Sequence, residues 1–198
     1  MALEIEAKFV APGPEARLQL PTALASLGLE LFDAEHRLVV DVYRDTADGT
    51  LATSGWALRY RSVAGVDGFL KTQKALTAVA ANGIASREEL EEHVAAIDEN
   101  FDKQPLTDLF KVFQDRWVWQ VRGSDGLWAE ASYDFVQWRK RGDRGVLCAE
   151  AHEVEIELKS GNAHAQALAN LISQVERATG WPTSAESKYA RGLKLVQC

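Results

Sequence analysis

The sequence lacks the features that would mark a secreted or membrane-bound protein. It has only two cysteines, Cys148 and Cys198, and they form no CxxC pair, so neither a disulfide framework nor a cysteine-based zinc site is indicated. No stretch approaches the roughly 20 apolar residues of a membrane-spanning helix. Glu4 and Glu6 stand where a signal peptide would carry basic residues. We therefore expect a cytoplasmic protein with no membrane partner.

Positive charge is also scarce. The 22 Lys and Arg residues against 29 Asp and Glu residues give a formal net charge of −7, which excludes broad, salt-dependent binding to nucleic acid but permits a local basic site. Gly and Pro contribute only 14 and 5 residues, and 46% of the chain is hydrophobic. A disordered, collagen-like or coiled-coil chain is therefore excluded. At roughly 150 residues per domain, we predict one domain over residues 1–198.

Alternation of apolar and polar residues predicts a largely antiparallel sheet. Residues 3–10 alternate with the period of a β-strand. Loops rich in glycine and aspartate at 64–68 and 123–126 are typical of hairpins. Helical spacing of apolar residues predicts helices at 15–27 and 168–178. Further strands are predicted at 38–45, 56–63, 68–75, 112–122, 126–138 and 146–159.

Carboxylates line one face of the last predicted strand, although a charged strand face is ordinarily exposed to solvent. Glu153, Glu155 and Glu157 share this face, and like charges there repel one another unless something neutralises them. A hard divalent cation that takes oxygen ligands, Mg²⁺ or Mn²⁺, is the simplest neutraliser. The pattern therefore indicates a metal site, with a solvated strand face as the alternative.

Clustered basic residues indicate an anionic partner. Arg59 and Arg61 share one strand face, and Lys74 lies in the next strand. Planar guanidinium groups match phosphate oxygens, and lysine adds a compact charge. No glycine-rich P-loop with its lysine is present. Together with the carboxylates, these residues indicate metal-assisted chemistry on a phosphate chain.

Seven motifs spread along nearly the whole chain resemble, in family order, those of the CYTH group. These triphosphate tunnel metalloenzymes include inorganic triphosphatases, thiamine triphosphatases and one class of adenylate cyclase. The motifs are EIEAK at 4–8, VYRDT at 42–46, ALRYR at 57–61, FLKTQK at 69–74, REELE at 87–91, EVEIELKSG at 153–161 and SKYARG at 187–192.

The resemblance implies an α+β fold that is mainly antiparallel β. The expected architecture is a closed, tunnel-like β-barrel of about eight strands, with charged side chains inside and helices outside. It also implies that seven basic residues bind the triphosphate, the first four of them with a catalytic part. These residues are Lys8, Arg59, Arg61, Lys74, Arg87, Arg116 and Lys188.

The same resemblance assigns metal-binding roles to acidic residues. Glu130 is similar to a further inward charge of the family, and Phe135 follows Asp134 where the family usually has a small residue, which leaves the role of Asp134 open. The implied ligands of Mg²⁺ or Mn²⁺ are Glu4, Glu6, Glu89, Glu91, Glu153 and Glu155.

Two segments allow competing interpretations. Lys71 and Lys74 lie three residues apart, so on a strand they face opposite sides, and we choose Lys74 because it shares the face of Thr72. At 86–97, the local pattern resembles a helix N-terminal capping box, whereas the family motif places a strand there. We choose the strand because tertiary context overrides helix propensity.

The resemblance implies a Mg²⁺- or Mn²⁺-dependent hydrolase that releases phosphate from a triphosphate, above all inorganic tripolyphosphate. Adenylate cyclase and thiamine or nucleoside triphosphatase activity are alternatives on the same scaffold. A polyphosphate-binding module without catalysis is the non-enzymatic alternative. The expected partner is a small-molecule triphosphate and not nucleic acid, and both a monomer and a homodimer are compatible with the sequence.

Overall fold

A computed structural model describes residues 2–76, 84–124, 126–142, 145–159 and 165–196, so Cys198 lies outside the described residues. Its elements, in chain order, are β1 (Ala2–Ala11), α1 (Ala16–Ser26), β2 (Glu30–Thr46), α2 (Thr50–Thr53), β3 (Trp56–Val63), β4 (Phe69–Ala75), β5 (Ile84–Val94), β6 (Asn100–Phe101), β7 (Gln104–Arg122), β8 (Trp128–Lys140), β9 (Leu147–Leu158), α3 (Ala165–Thr179) and α4 (Lys188–Val196).

Eight antiparallel strands close into a barrel. Their order is β2-β3-β4-β5-β1-β9-β8-β7, and β7 pairs back onto β2, while the short β6 adds to β7. The predicted closed barrel of eight strands is therefore confirmed. Because side chains alternate across each strand, every second residue points into the barrel.

Helices α1 and α3 cover the outward face of β1, β8 and β9. Leu20 and Leu24 of α1 and Ile172 of α3 are buried in one apolar cluster with Phe9 and Ile156 of the strands. These two helices lie outside the barrel, as predicted. Among the helices of the described residues, none is long and apolar enough to cross a membrane.

Helix α4, for which the sequence patterns predicted no helix, packs against the inward face of the strands at one end of the barrel. Tyr189 is buried in a cluster with Phe110 and Trp138, and the indole Nε1 of Trp138 donates to the carbonyl oxygen of Lys188 at 2.9 Å. A Cβ atom at Gly192 would lie 2.2 Å from Phe110 Cε2, so glycine permits this close approach. The helix closes this end and directs Lys188 into the barrel.

Both ambiguous segments follow the chosen interpretation. Residues of β5 pair with β1 on one side and β4 on the other, and these backbone pairings outweigh the helix-capping pattern. Lys74 lines the barrel interior, whereas the Nζ of Lys71 lies 2.5 Å from Asp98 Oδ2, a carboxylate that also accepts from the Tyr60 hydroxyl at 2.8 Å. The strand alternation thus separates the two lysines as predicted.

Candidate active site in the barrel interior

A cavity of about 280 Å³ occupies the barrel interior, and charged side chains from both predicted sets line it. Glu153 is the exception among the predicted site residues, because it lies behind Lys188, with its Oε2 3.3 Å from the lysine Nζ. The predicted residues that line the cavity are Glu4, Glu6, Lys8, Arg59, Arg61, Lys74, Arg87, Glu89, Glu91, Arg116, Glu155 and Lys188.

The strand register explains why these residues meet. Lys8 of β1 pairs in register with Glu155 of β9, and Glu4 of β1 pairs with Arg87 of β5. Lys74 of β4 is likewise paired with Glu89 of β5. Opposite charges on neighbouring strands attract one another, so the register itself places Lys8, Lys74 and Arg87 beside carboxylates inside the barrel.

Glu155 is the centre of a cationic cluster next to α4. Its Oε1 lies 3.0 Å from Lys8 Nζ and 2.6 Å from Lys188 Nζ, and its Oε2 accepts from Arg116. Burial opposes ionisation of Glu155, but these three cations outweigh it and hold the pKa of the carboxyl well below its ordinary value. For Glu155, the protein's own cations supply the neutralisation that the sequence pattern attributed to a metal.

Asp134, whose role the sequence left open, organises the same cluster. Arg116 donates to both of its oxygens, from Nε to Oδ1 at 2.6 Å and from Nη2 to Oδ2 at 2.8 Å. Lys188 Nζ donates to Oδ2 at 3.0 Å. Asp134 is fully buried, so it fixes the positions of Arg116 and Lys188 and is not itself exposed to the cavity.

Asp41 of β2 is a site residue that the sequence analysis missed. Arg61 donates to it through Nε at 2.7 Å and through Nη2 at 2.8 Å, and Gln114 donates to Oδ2 at 2.8 Å. Arg59 Nη1 lies 3.9 Å from the same oxygen. A single aspartate within the apolar run 38–43 was the available signal, because a lone charge at an inward position needs a partner inside the barrel.

We predict that Asp41→Asn destabilises the protein by about 2 kcal/mol above pH 4, and that this difference shrinks as the pH falls toward 2. Burial opposes ionisation of Asp41, but Arg61 and Arg59 lower its pKa to about 2. A folded-state pKa below the unfolded value adds stability above the unfolded pKa, and protonation removes it. Urea unfolding of both proteins across this pH range measures the effect; a difference that does not change with pH would contradict it.

The other part of the cavity wall carries less compensated negative charge. Burial and the neighbouring Glu6 raise the pKa of Glu4, and burial together with Glu91 and Glu157 raises that of Glu89 despite Lys74 and Arg59. Carboxylate oxygens with excess negative charge are what a hard divalent cation prefers. The donor chemistry of these residues therefore fits Mg²⁺ or Mn²⁺.

The acidic residues are not arranged as a finished metal site. No three His, Cys, Asp or Glu side chains of the described residues converge as ligands of one ion. Instead, the Nζ of Lys74 pairs with Glu4 Oε2 and lies 3.7 Å from Glu6 Oε1. Metal binding between these carboxylates would thus displace a lysine that could turn toward a phosphate.

Two of the guanidinium groups that line the cavity keep a donor without an acceptor. The Nε atoms of Arg59 and Arg87 are buried and have no hydrogen-bond partner among the residues that the structure describes, while Arg59 Nη2 donates to Thr72 Oγ1 at 2.9 Å. A buried donor without an acceptor is costly, by about 1–3 kcal/mol. Because both side chains line the cavity, an anionic oxygen bound there would satisfy them.

The family model of the CYTH domain matches residues 2–192. A solved structure from Hippeastrum, described as a putative adenylyl cyclase with a dominant triphosphatase activity, is 21% identical with a TM-score of 0.65 and covers 96% of this chain and 95% of that one. A putative adenylate cyclase from Bacillus halodurans is 17% identical, with a TM-score of 0.55 and coverage of 96% and 98%. The RNA triphosphatase domain of a mimivirus mRNA capping enzyme is 10% identical, with a TM-score of 0.51 and coverage of 87% and 88%. No curated protein matches this chain.

Proposed function

Because this chain belongs to the CYTH domain family, whose members act on triphosphates, we propose that it hydrolyses a triphosphate, above all inorganic tripolyphosphate, with Mg²⁺ or Mn²⁺. The observation that carries the proposal is the pair of buried, unpaired Nε donors of Arg59 and Arg87 in a cavity lined by further cations. Such donors fit the oxygens of a highly charged phosphate chain.

The basic residues would divide the work of binding and stabilising charge. Lys8, Arg116 and Lys188 surround Glu155 next to α4. On the opposite wall, Asp41 orients Arg61 and Thr72 holds Arg59. A phosphate chain between these groups would have its terminal oxygens held from both sides. Phosphoryl transfer proceeds through a charged transition state with in-line attack, so positioned cations lower its energy.

The acidic residues would hold the metal. Glu4, Glu6, Glu89, Glu91 and Glu155 line the cavity, and Glu4 and Glu89 are the first candidates because their negative charge is least compensated. When bound, a divalent cation lowers the pKa of a coordinated water and neutralises charge on the phosphates. Glu153 lies behind Lys188, and there its carboxylate would hold the lysine in place.

We expect kcat/KM to be highest for tripolyphosphate, lower for ATP and thiamine triphosphate, and poor for pyrophosphate. The cavity recognises charge, and tripolyphosphate carries the most charge without an organic substituent, whereas pyrophosphate is too short to contact both walls. Phosphate and pyrophosphate release from all four compounds, measured in parallel with cyclic AMP formation, gives the order.

The same assay separates the alternatives. Cyclic AMP as the main product from ATP would establish an adenylate cyclase in place of the hydrolase. A higher kcat/KM for thiamine triphosphate than for tripolyphosphate would establish thiamine triphosphatase activity. Tight binding of tripolyphosphate without turnover of any of the compounds, in the presence of Mg²⁺ and of Mn²⁺, would establish the non-enzymatic binding module.

A further inference from the structure

An aromatic surface lies at the end of the barrel opposite α4. Phe32, Gln120, Arg122 and Trp128 line a groove there, together with residues 33–35; we call these four side chains the mouth ledge. Phe32 pairs in register with Gln120, and Arg122 pairs with Trp128. Because Trp128 is an even number of residues from the cavity-lining Glu130, both lie on the inward face of β8.

Hydrogen bonds join the mouth ledge to the cavity wall. Trp128 Nε1 donates to Gln120 Oε1 at 3.0 Å, and Gln120 Nε2 donates to Glu130 Oε2 at 3.1 Å. Glu130 lines the cavity. A second link runs through Arg37, which lines the cavity and whose Nε donates at 2.7 Å to Glu35 of the groove. The groove therefore continues the cavity outward.

The ledge offers planar groups to a ligand. Trp128 is 45% exposed, although its large apolar ring would ordinarily be buried, and the hydrogen bond from its indole nitrogen fixes one edge of the ring. Beside it, the guanidinium of Arg122 lies over the Phe32 ring, 4.6 Å from the centroid. Tryptophan rings and arginine planes are the surfaces on which nucleic-acid bases stack.

We propose that the mouth ledge is a stacking subsite for the base of a nucleoside 5′-triphosphate whose phosphates occupy the cavity. This inference rests on the proposed function and makes the ledge a determinant of specificity. Trp128 stands two residues, or roughly 7 Å, beyond Glu130 along β8. A base attached through its ribose to the phosphate nearest the mouth therefore reaches Trp128. Asp33 and Glu35 of the groove offer carboxylate oxygens to ribose hydroxyls.

The subsite has a defined effect on substrate use. Stacking accepts any base because each has a π-face, so the ledge favours nucleotides as a class over other substituted triphosphates of equal charge. Tripolyphosphate has no group that reaches the ledge. The ratio of kcat/KM for ATP to that for tripolyphosphate therefore isolates the contribution of the ledge from that of the phosphate-binding residues.

Trp128→Ala should lower this ratio by roughly tenfold, whereas Trp128→Phe, which keeps an aromatic ring, should hold it within about threefold of the wild type. Circular dichroism and thermal unfolding establish that each variant is folded. An unchanged ratio in a folded Trp128→Ala protein would overturn the proposal, and so would an equal loss with both variants.

A binding measurement tests the ledge apart from catalysis. Calorimetric titration in EDTA, where no turnover is expected, compares the β,γ-methylene analogue of ATP with tripolyphosphate as the reference ligand. The affinity ratio is measured for the wild type and for Arg122→Gln, a variant that removes the guanidinium plane if Trp128→Ala does not fold. We expect a selective loss of analogue affinity. Equal affinity changes for both ligands, or none, would reject the ledge. A protein that binds both ligands but hydrolyses neither tripolyphosphate nor ATP when Mg²⁺ or Mn²⁺ is added would refute the proposed function and leave the ledge testable.

Discussion

Arg59→Ala is expected to lower kcat/KM for tripolyphosphate by roughly 10²- to 10³-fold, the usual cost of removing one group that stabilises transition-state charge. Arg59 is held on the cavity wall by Thr72 and keeps its buried Nε donor unpaired. Its nearest carboxylates, Asp41, Glu89 and Glu91, stand at 3.8–3.9 Å, so its ion pairs are loose. Its donors are available to a phosphate oxygen.

Two further variants sharpen this test. Arg59→Lys keeps the charge but not the planar fork, and it should recover part of the lost activity. Arg177→Ala removes an exposed arginine near the end of α3, on the outside of the barrel, and should behave as the wild type. Steady-state kinetics with tripolyphosphate, together with an unfolding curve for each protein, provide the comparison. Wild-type kinetics for folded Arg59→Ala would rule out a phosphate-binding role.

Chelation of divalent cations is expected to abolish turnover, and Mg²⁺ or Mn²⁺ should restore it. The physical reason is the excess negative charge on the cavity wall, where burial and neighbouring carboxylates raise the pKa values of Glu4 and Glu89. Ca²⁺ should restore little activity because it takes longer and more variable coordination than Mg²⁺. Phosphate release in EDTA, before and after each cation is added back, measures this dependence; full turnover in excess EDTA would refute the metal requirement.

Glu4→Gln should raise the Mn²⁺ concentration needed for half-maximal turnover by roughly tenfold or more, because it removes one charged ligand at nearly constant volume. Glu88→Gln is the matched control, since Glu88 is exposed on the outward face of β5. Electron paramagnetic resonance of bound Mn²⁺ reports the affinity without turnover. The same Mn²⁺ affinity in Glu4→Gln and Glu88→Gln would remove Glu4 from the ligand set.

Much of the barrel could be predicted from the sequence because strand alternation is a local property. The shared face of Glu4, Glu6 and Lys8 follows from a period of two residues within β1, and the separation of Lys71 from Lys74 follows from the same rule. The residue types then indicated the chemistry, because clustered carboxylates and clustered guanidinium groups favour different ligands.

Helix α4 and β5 show where local patterns were insufficient. The strand in 84–94 forms although its sequence carries a helix-capping pattern, because β1 and β4 supply backbone partners on both sides. The helix that begins at Lys188 closes the barrel by packing against Phe110 and Trp138. Neither neighbour is close in sequence, so no short window contains the interaction that determines the element.

The sequence by itself determined which residues share a strand face and which charges they carry, whereas barrel closure decided that this charged face points inward. Only the tertiary structure decided how those charges are paired: Asp41 orients Arg61, Asp134 orients Arg116, and Glu155 is surrounded by cations. Each of these ion pairs joins different strands or a strand and α4. Their geometry and burial, which set the pKa values and the availability of each donor, depend on barrel closure and register, and these arise from contacts between distant parts of the chain.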